Sequence, residues 1–326
     1  MAVSNSLQKT ASNKPAPFSA VINSEGYKKI INNTLKEPNR ANRFVASIIS
    51  AVSINPALQE CAPDTILSGG LLGESLQLSP SPQLGQYYLV PYDDKKRGCK
   101  VATFQLGYKG YIQLAIRSGY YKKINVLSIK EGELISYNPL DEDIEVRLIE
   151  DEEERENAKT IGYYAMFEYS NGFKKSMYWS KQKMLKHADK YSMAFSAEAT
   201  GGKVPKVSFS DYEAGKYDPK DAWKYSSFWY KDFDGMAHKT MLRQLISKWG
   251  IMSIEMQKAY EGDMAVINDD GSFDYVDNQP TTTVSESRTV IDVDTGEIVE
   301  ADVLTEEEKA EIIAQEQADA QADFFK

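Results

Sequence analysis

The sequence predicts an α+β fold: an antiparallel β-sheet built of hairpins and packed against helices, followed by a flexible acidic C-terminal tail. Three observations predict it. Apolar stripes with helical spacing stand near both ends of the body, at Phe44, Val45, Ile48, Ile49 and Val52 and again at Met241, Leu242, Leu245, Ile246 and Trp249. Between them lie pairs of short apolar runs joined by turn formers, among them Asn171-Gly172, a strong hairpin signal. Beyond Gly262 the periodicity stops and acids dominate.

Residues 1–20, rich in Ser, Asn, Lys and Pro, read as a disordered arm. Asn39 is placed to cap a helix that ends before Pro56, and Asp64 to cap another through Leu76. Ser79-Pro80-Ser81-Pro82 forms a turn-rich break. Gln86–Tyr92 and Cys99–Leu106 flank a polar link and predict a hairpin. Gly107 opens a helix with Tyr111, Leu114 and Ala115 on one side, and Gly119 stops it. Tyr120–Lys130 reads as a strand, and Ile161–Tyr169 with Phe173–Trp179 as a second hairpin. Glu150–Asn157 is too charged for the core and reads as an exposed loop or hairpin tip.

Ser180 caps a helix through Lys190, and residues 200–219 read as irregular. Asp232 or Asp234 begins the helix that runs to Trp249. The expected organisation is a disordered arm (1–20), a core (21–261), an acidic linker (262–304) with a short hairpin at Val290–Val299, and a terminal helix (305–326). Thr305 and Glu308 match a capping box for that last helix.

The 326 residues suffice for a substantial core. Cys61 and Cys99 lie outside any CxxC pair, which argues against a disulfide framework or zinc knuckle and fits a reducing compartment. His187 and His238 are too few for a histidine-based metal site. Met1–Pro17 has no apolar signal core, and Phe44–Ile54 is too short to span a bilayer. The expectation is a soluble, cytoplasmic protein with no membrane contact. The spacings G-x-x-x-x-G-K-[ST] and G-x-G-x-x-G are absent, as are G-x-S-x-G and H-E-x-x-H.

Charge is distributed unevenly within a net −10. Residues 251–326 hold 20 acids and 4 bases, whereas residues 1–250 hold 34 bases and 28 acids. Ten of those 28 acids fall between Asp141 and Glu156. A basic body thus carries one acidic segment and one acidic tail, a pattern that suits nucleic-acid contact by the body.

Between Lys95 and Lys130 there are nine basic residues and no acid. Lys100, Lys109, Arg117, Lys122 and Lys123 belong to this block, with Tyr108, Tyr120 and Tyr121 threaded among them. Lysine and arginine neutralise phosphates, and rings offer faces to unpaired bases. The alternative is a solvated charged face over core tyrosines. Within the block, Gly107 and Gly110 would let the backbone approach a phosphate at a helix N-terminus, with Lys109 adding a charge; a mere tight turn fits the same residues. A second cluster comprises Lys174, Lys175, Lys181, Lys183, Lys186 and Lys190, and the alternative is a lysine-coated amphipathic helix. Lys206 lies in the irregular stretch that follows. Lys239 and Arg243 share a helix face, whereas His238 falls in the apolar stripe and reads as a hydrogen-bonded core residue. The acids Asp141, Glu142, Asp143 and Glu145 are the only candidates for a metal-dependent nuclease, and no EF-hand spacing accompanies them.

Three stretches resemble the RecT family of phage and prophage single-strand annealing proteins. They are Leu71–Pro80 continuing through Gly85–Tyr92, Gln105–Leu114 with Arg117-Ser118-Gly119, and Met236–Leu245. The resemblance covers residues 20–260; the tail and the segment 141–157 match no family pattern. It implies an α+β core, annealing without ATP or any required cofactor, and assembly of homo-oligomers as rings or helical filaments. Its DNA-binding positions fall on Gln105, Tyr108, Lys109, Arg117, Lys239 and Arg243, with Lys109 and Arg243 expected to face solvent. Lys174, Lys175, Lys181, Lys183 and Lys206 are added on charge alone. The expected ligands are single-stranded DNA and an annealed duplex intermediate, with magnesium only as a counterion of DNA. An exonuclease or the host single-strand-binding protein is the expected partner of the tail. The alternative is a passive single-strand coat protein.

Overall fold

The computed structural model describes residues 16–192, 194–196, 205–268, 270–275, 289–291 and 298–300. Helices come first. Helix α1 (Phe18–Ile22) buries Phe18 and Ile22, so residues 18–20 of the expected arm are helical instead, and residues 1–15 lie outside the described residues; a five-residue helix is too brief to show a period in sequence. Helices α2 (Glu25–Leu35) and α3 (Pro38–Ile54) follow, the latter burying Phe44, Ile48 and Val52 as its stripe predicts. Helix α4 (Pro63–Ser75) starts at Pro63, with Asp64 in its first turn rather than at its cap.

Strands β1 (Tyr87–Asp94) and β2 (Cys99–Leu106) form the predicted hairpin, with Tyr87 opposite Leu106 and Asp94 opposite Cys99. Helix α5 (Tyr108–Ser118) has Gly107 as N-cap and Gly119 in the left-handed region at its end. Strand β3 (Tyr121–Lys130) precedes a ribbon of β4 (Leu134–Asn138) and β5 (Asp143–Val146). Helix α6 (Glu152–Asn157) replaces the expected loop. Its side-chain cap is Asp151, which accepts the Glu154 N–H, and acids in its first turn suit the positive end of the helix dipole. All of it stays outside the core, as its charge requires.

The second predicted hairpin is β6 (Thr160–Tyr169) with β7 (Lys174–Ser180). Ser180 caps α7 (Lys181–Tyr191), its Oγ accepting the Lys183 N–H. Short helices α8 (Phe209–Glu213) and α9 (Phe228–Lys231) lead into α10 (Phe233–Trp249), capped by Asp232. Helix α11 (Ile254–Gly262) and strands β8 (Ala265–Ile267) and β9 (Phe273–Tyr275) complete the body.

The strands form one sheet of order β1-β2-β8-β9 and another of order β3-β6-β7, both antiparallel. Helix α10 lies against β3, β6 and β7 and against α5, with Ala237, Met241, Leu242, Leu245 and Ile246 buried between them. Helix α4 covers β1 and β2. Strand β8 corrects the expected linker, since residues 262–275 belong to the body. Its three residues are all buried, too few to register as an alternating pattern among the flanking Asp, Asn and Gly. Residues 278–326 form a second unit, in which β10 (Thr289–Ile291) pairs with β11 (Ile298–Glu300). Val290 opposite Val299 reproduces the expected hairpin. The expected helix at 305–326 lies outside the described residues.

Candidate nucleic-acid interface

The turn from β2 into α5 has two glycines for a reason that concerns the protein's own backbone. A Cβ on Gly107 would stand 2.1 Å from the Gly85 carbonyl oxygen, and one on Gly110 would stand 2.2 Å from that of Gln86. Gly107 N–H donates to Gln86 O at 2.8 Å. The close approach expected for a phosphate is thus made by residues 85–86, and the glycines pin the start of α5 beside β1. Lys109 sits on the first turn, exposed, with no ion pair among the described residues.

A shallow open cleft lies between the end of β2, the start of α5 and the first turns of α10. Tyr88, Tyr108, Phe228 and Met236 give it an apolar lining, with Gln105 and Asp232 as polar members. The Tyr88 and Phe228 rings are 6.0 Å apart, and Tyr108 meets His238 edge-on at 5.5 Å. The structure therefore brings Gln105, Tyr108 and Lys109 together, with Lys239 at the cleft's inner side.

Lys239 is buried and does not face solvent. Its Nζ donates to Asp263 Oδ1 at 2.8 Å, and the Arg243 guanidinium binds Asp263 Oδ2. Asp263 is itself fully buried and also accepts the Leu106 N–H at 2.9 Å and the Tyr111 hydroxyl at 3.4 Å. Burial pushes the Lys239 pKa down, and Asp263 works against that shift. Arg243 lies 4.2 Å from the Tyr260 ring centroid. These two cations hold the wall of the cleft through one carboxylate; Arg243, expected to face solvent, is paired there and only partly exposed.

The other predicted residues divide between surface and scaffold. Lys100 pairs with Glu60 at 2.6 Å, and Lys122 and Lys123 share Glu168 at 2.6 and 3.6 Å. Arg117 donates to the Leu76 carbonyl at 2.6 Å, at the end of α4. Tyr120 is exposed, whereas Tyr121 is buried and donates to Ile251 O at 2.7 Å. Lys174 is exposed; Lys175 is held by Glu142 of the β4–β5 ribbon and lies 4.3 Å from the Trp249 ring centroid. Lys181 pairs with Glu213 at 3.0 Å. Lys183 is exposed and lies over Trp179. Lys206 donates to Ala194 O at 2.7 Å and Ser196 O at 3.3 Å, and burial lowers its pKa.

His238 is half-buried and hydrogen-bonded rather than fully in the core. Its Nε2 is 3.0 Å from Ser128 Oγ, which also binds Asp234; Thr160 and Tyr163 donate to the same carboxylate. Burial lowers the His238 pKa. Among the described residues no three His, Cys, Asp or Glu side chains converge as a metal site, and Glu142 is turned to Lys175 instead. Sequence reasoning missed Tyr88, Phe228 and Asp263. Tyr88 was legible as a strand residue of the predicted hairpin, where it pairs directly with Gln105, but Phe228 and Asp263 lie in segments without a period.

The RecT family model matches residues 42–282. The chain is 37% identical over 290 residues to a Bacillus subtilis protein designated uncharacterized protein YqaK, covering 86% of this chain and 87% of that one. It is 27% identical over 266 residues to the Protein RecT of Escherichia coli, covering 79% of this chain and 86% of that one.

Proposed function

The chain belongs to the RecT family, whose members anneal single strands in recombination, and from that premise we propose that it coats unpaired DNA and pairs it with a complement without ATP. The observation that carries the reading is the unpaired Lys109 at the head of α5, beside an aromatic cleft that holds Gln105 and Tyr108. Phosphates are drawn to Lys109 and to the exposed members of the basic block, Lys95, Lys96, Lys122 and Lys123. The Tyr88, Tyr108 and Phe228 rings give a base a face to lie on without reading its edge. No bond is made or broken, so no activated nucleophile is required. Magnesium serves only as a counterion of DNA.

Homo-oligomers, as rings or helical filaments, carry this function along a strand. The unit from residue 278 onward, with 13 acids against 3 bases, is repelled by DNA and serves a protein partner, an exonuclease or the host single-strand-binding protein. Among the described residues no helix is long and apolar enough to cross a membrane, and the cytoplasm, where DNA is, is the proposed location.

The deciding experiment mixes two complementary oligonucleotides with the full chain and no nucleotide triphosphate, and follows duplex formation. Accelerated pairing is expected. Strand coating with no acceleration would leave a passive coat protein, and shortening of either strand in Mg²⁺ would show a nuclease.

A further inference from the structure

The far end of α10 carries a surface that this reading leaves unused. Trp249 closes that helix 42% exposed, with Lys175 Nζ 4.3 Å and Lys248 Nζ 5.8 Å from its ring centroid. Nearby, Trp179, His187 and Tyr191 form a column with centroids 5.3 and 4.6 Å apart. Lys183 lies 4.5 Å from the Trp179 centroid and Lys190 5.2 Å from that of Tyr191, which is 61% exposed.

Strand β7 carries on one face both Lys175, over Trp249, and Trp179, at the head of the column. That joins the column on α7 to the end of α10 as one surface. Of the acids on this side, Glu142 holds Lys175, and Asp189 is exposed on α7 beside Lys190. Ammonium groups ordered over ring faces present an unpaired strand with both of the things it needs, a counter-charge for phosphate and a platform for a base.

This surface is distant from the cleft. Met236 lines the cleft and Trp249 stands on the same helix 13 residues on, which at the α-helical rise is about 20 Å. Annealing needs one strand held and another brought to it. We propose that Lys183, Lys190, Tyr191, Lys248 and Trp249 form a second single-strand-binding surface, which receives the complementary strand while the first is held at Lys109 and the cleft. The proposal rests on the annealing reading and assigns the second strand a place within it.

The test uses the full chain and the variant Lys183→Gln, Lys190→Gln, Lys248→Gln, whose three changes are all on exposed lysines or at a helix end. Two quantities are measured: affinity for one labelled oligonucleotide, and the rate at which that complex pairs with its complement. Affinity for the first strand should change by less than about threefold, while the pairing rate falls by about tenfold or more. Lys109→Gln should instead lose first-strand affinity. Equal losses of affinity and rate in the triple variant, meaning one continuous track, would overturn the proposal, and so would a wild-type pairing rate. A photoreactive bromodeoxyuridine strand, added second, reports on the surface even if wild-type protein fails to anneal. Crosslinks to Tyr191 or Trp249 are expected; crosslinks confined to Tyr88, Tyr108 and Phe228 would refute the second surface. Failure of wild-type annealing alone would refute the proposed function.

Discussion

Asp263 sets one carboxylate between two cations where no water reaches it. Replacing it with alanine leaves Lys239 charged and buried with no counter-ion, so Asp263→Ala should cost about 3–5 kcal/mol, measured by urea denaturation. Lys109 has the opposite character, exposed and unpaired. Lys109→Ala should leave the denaturation midpoint unchanged, weaken single-strand binding, and reduce the slope of log affinity against log salt by about 0.7. Both cations of α10 were legible as charges in the sequence. Their partner was not, because Asp263 follows Arg243 by a whole helix and only the folded chain brings them together.

The two histidines add a dependence on pH. Burial holds both His187 and His238 below the ordinary 6.5, so the unfolded chain binds their protons more tightly than the folded one. Stability is therefore fully present above that value and falls as pH drops through and below it. Melting temperature should decline between pH 7.5 and about 5.5. His187→Gln with His238→Gln should flatten the decline, and an unchanged slope in the double variant would remove the histidines as its cause.

At the scale of elements, the glycine-bearing turn shows what spacing reveals and what it hides. The strand–turn–helix order of β2 and α5 could be read from Gly107, Gly119 and the apolar stripe between them. What the glycines approach could not, because Gly85 and Gln86 reach them through the pairing of β1 with β2. Gly110→Ala should cost about 1–3 kcal/mol by driving a methyl into the Gln86 carbonyl, and should weaken DNA binding by displacing Tyr108 and Lys109. Melting and binding measured on the same preparation check both effects. Long periodic elements were legible over most of their length: α10, both hairpins, and α3 except for its start, where Glu37 and not Asn39 holds the cap position before Pro38. Elements of three to six residues, α1, α6 and β8, were not, since a period needs repetition to be seen.

For the whole molecule, the place where the body ends decides what the tail can lose. The sequence suggests an ending near Gly262, but β8 lies beyond it and pairs Ala265 with Phe104 of β2. A chain cut after Gly262 lacks Asp263 and β8 and should fail to fold cooperatively. A chain cut after Asp277 should fold and bind single-stranded DNA at least as tightly as the full chain, since a segment of net −10 is gone. The proposed role of the tail predicts that this chain loses recombination in cells. Thermal melts and binding isotherms of the two truncations distinguish these outcomes, and full recombination without the tail would remove the partner.

Synthesis proceeds from the amino end, so the chain emerges from the ribosome with Lys239 and Arg243 ahead of the carboxylate that seats them. Until residues 263–267 follow, α10 carries two uncompensated charges on the side that must pack against α5. The wall of the cleft cannot close in that interval. A half-made chain therefore has lysines enough to be attracted to nucleic acid but no finished groove in which to hold it. On the proposed function, this late strand ties the moment at which the protein could bind a strand to the moment at which its body is complete.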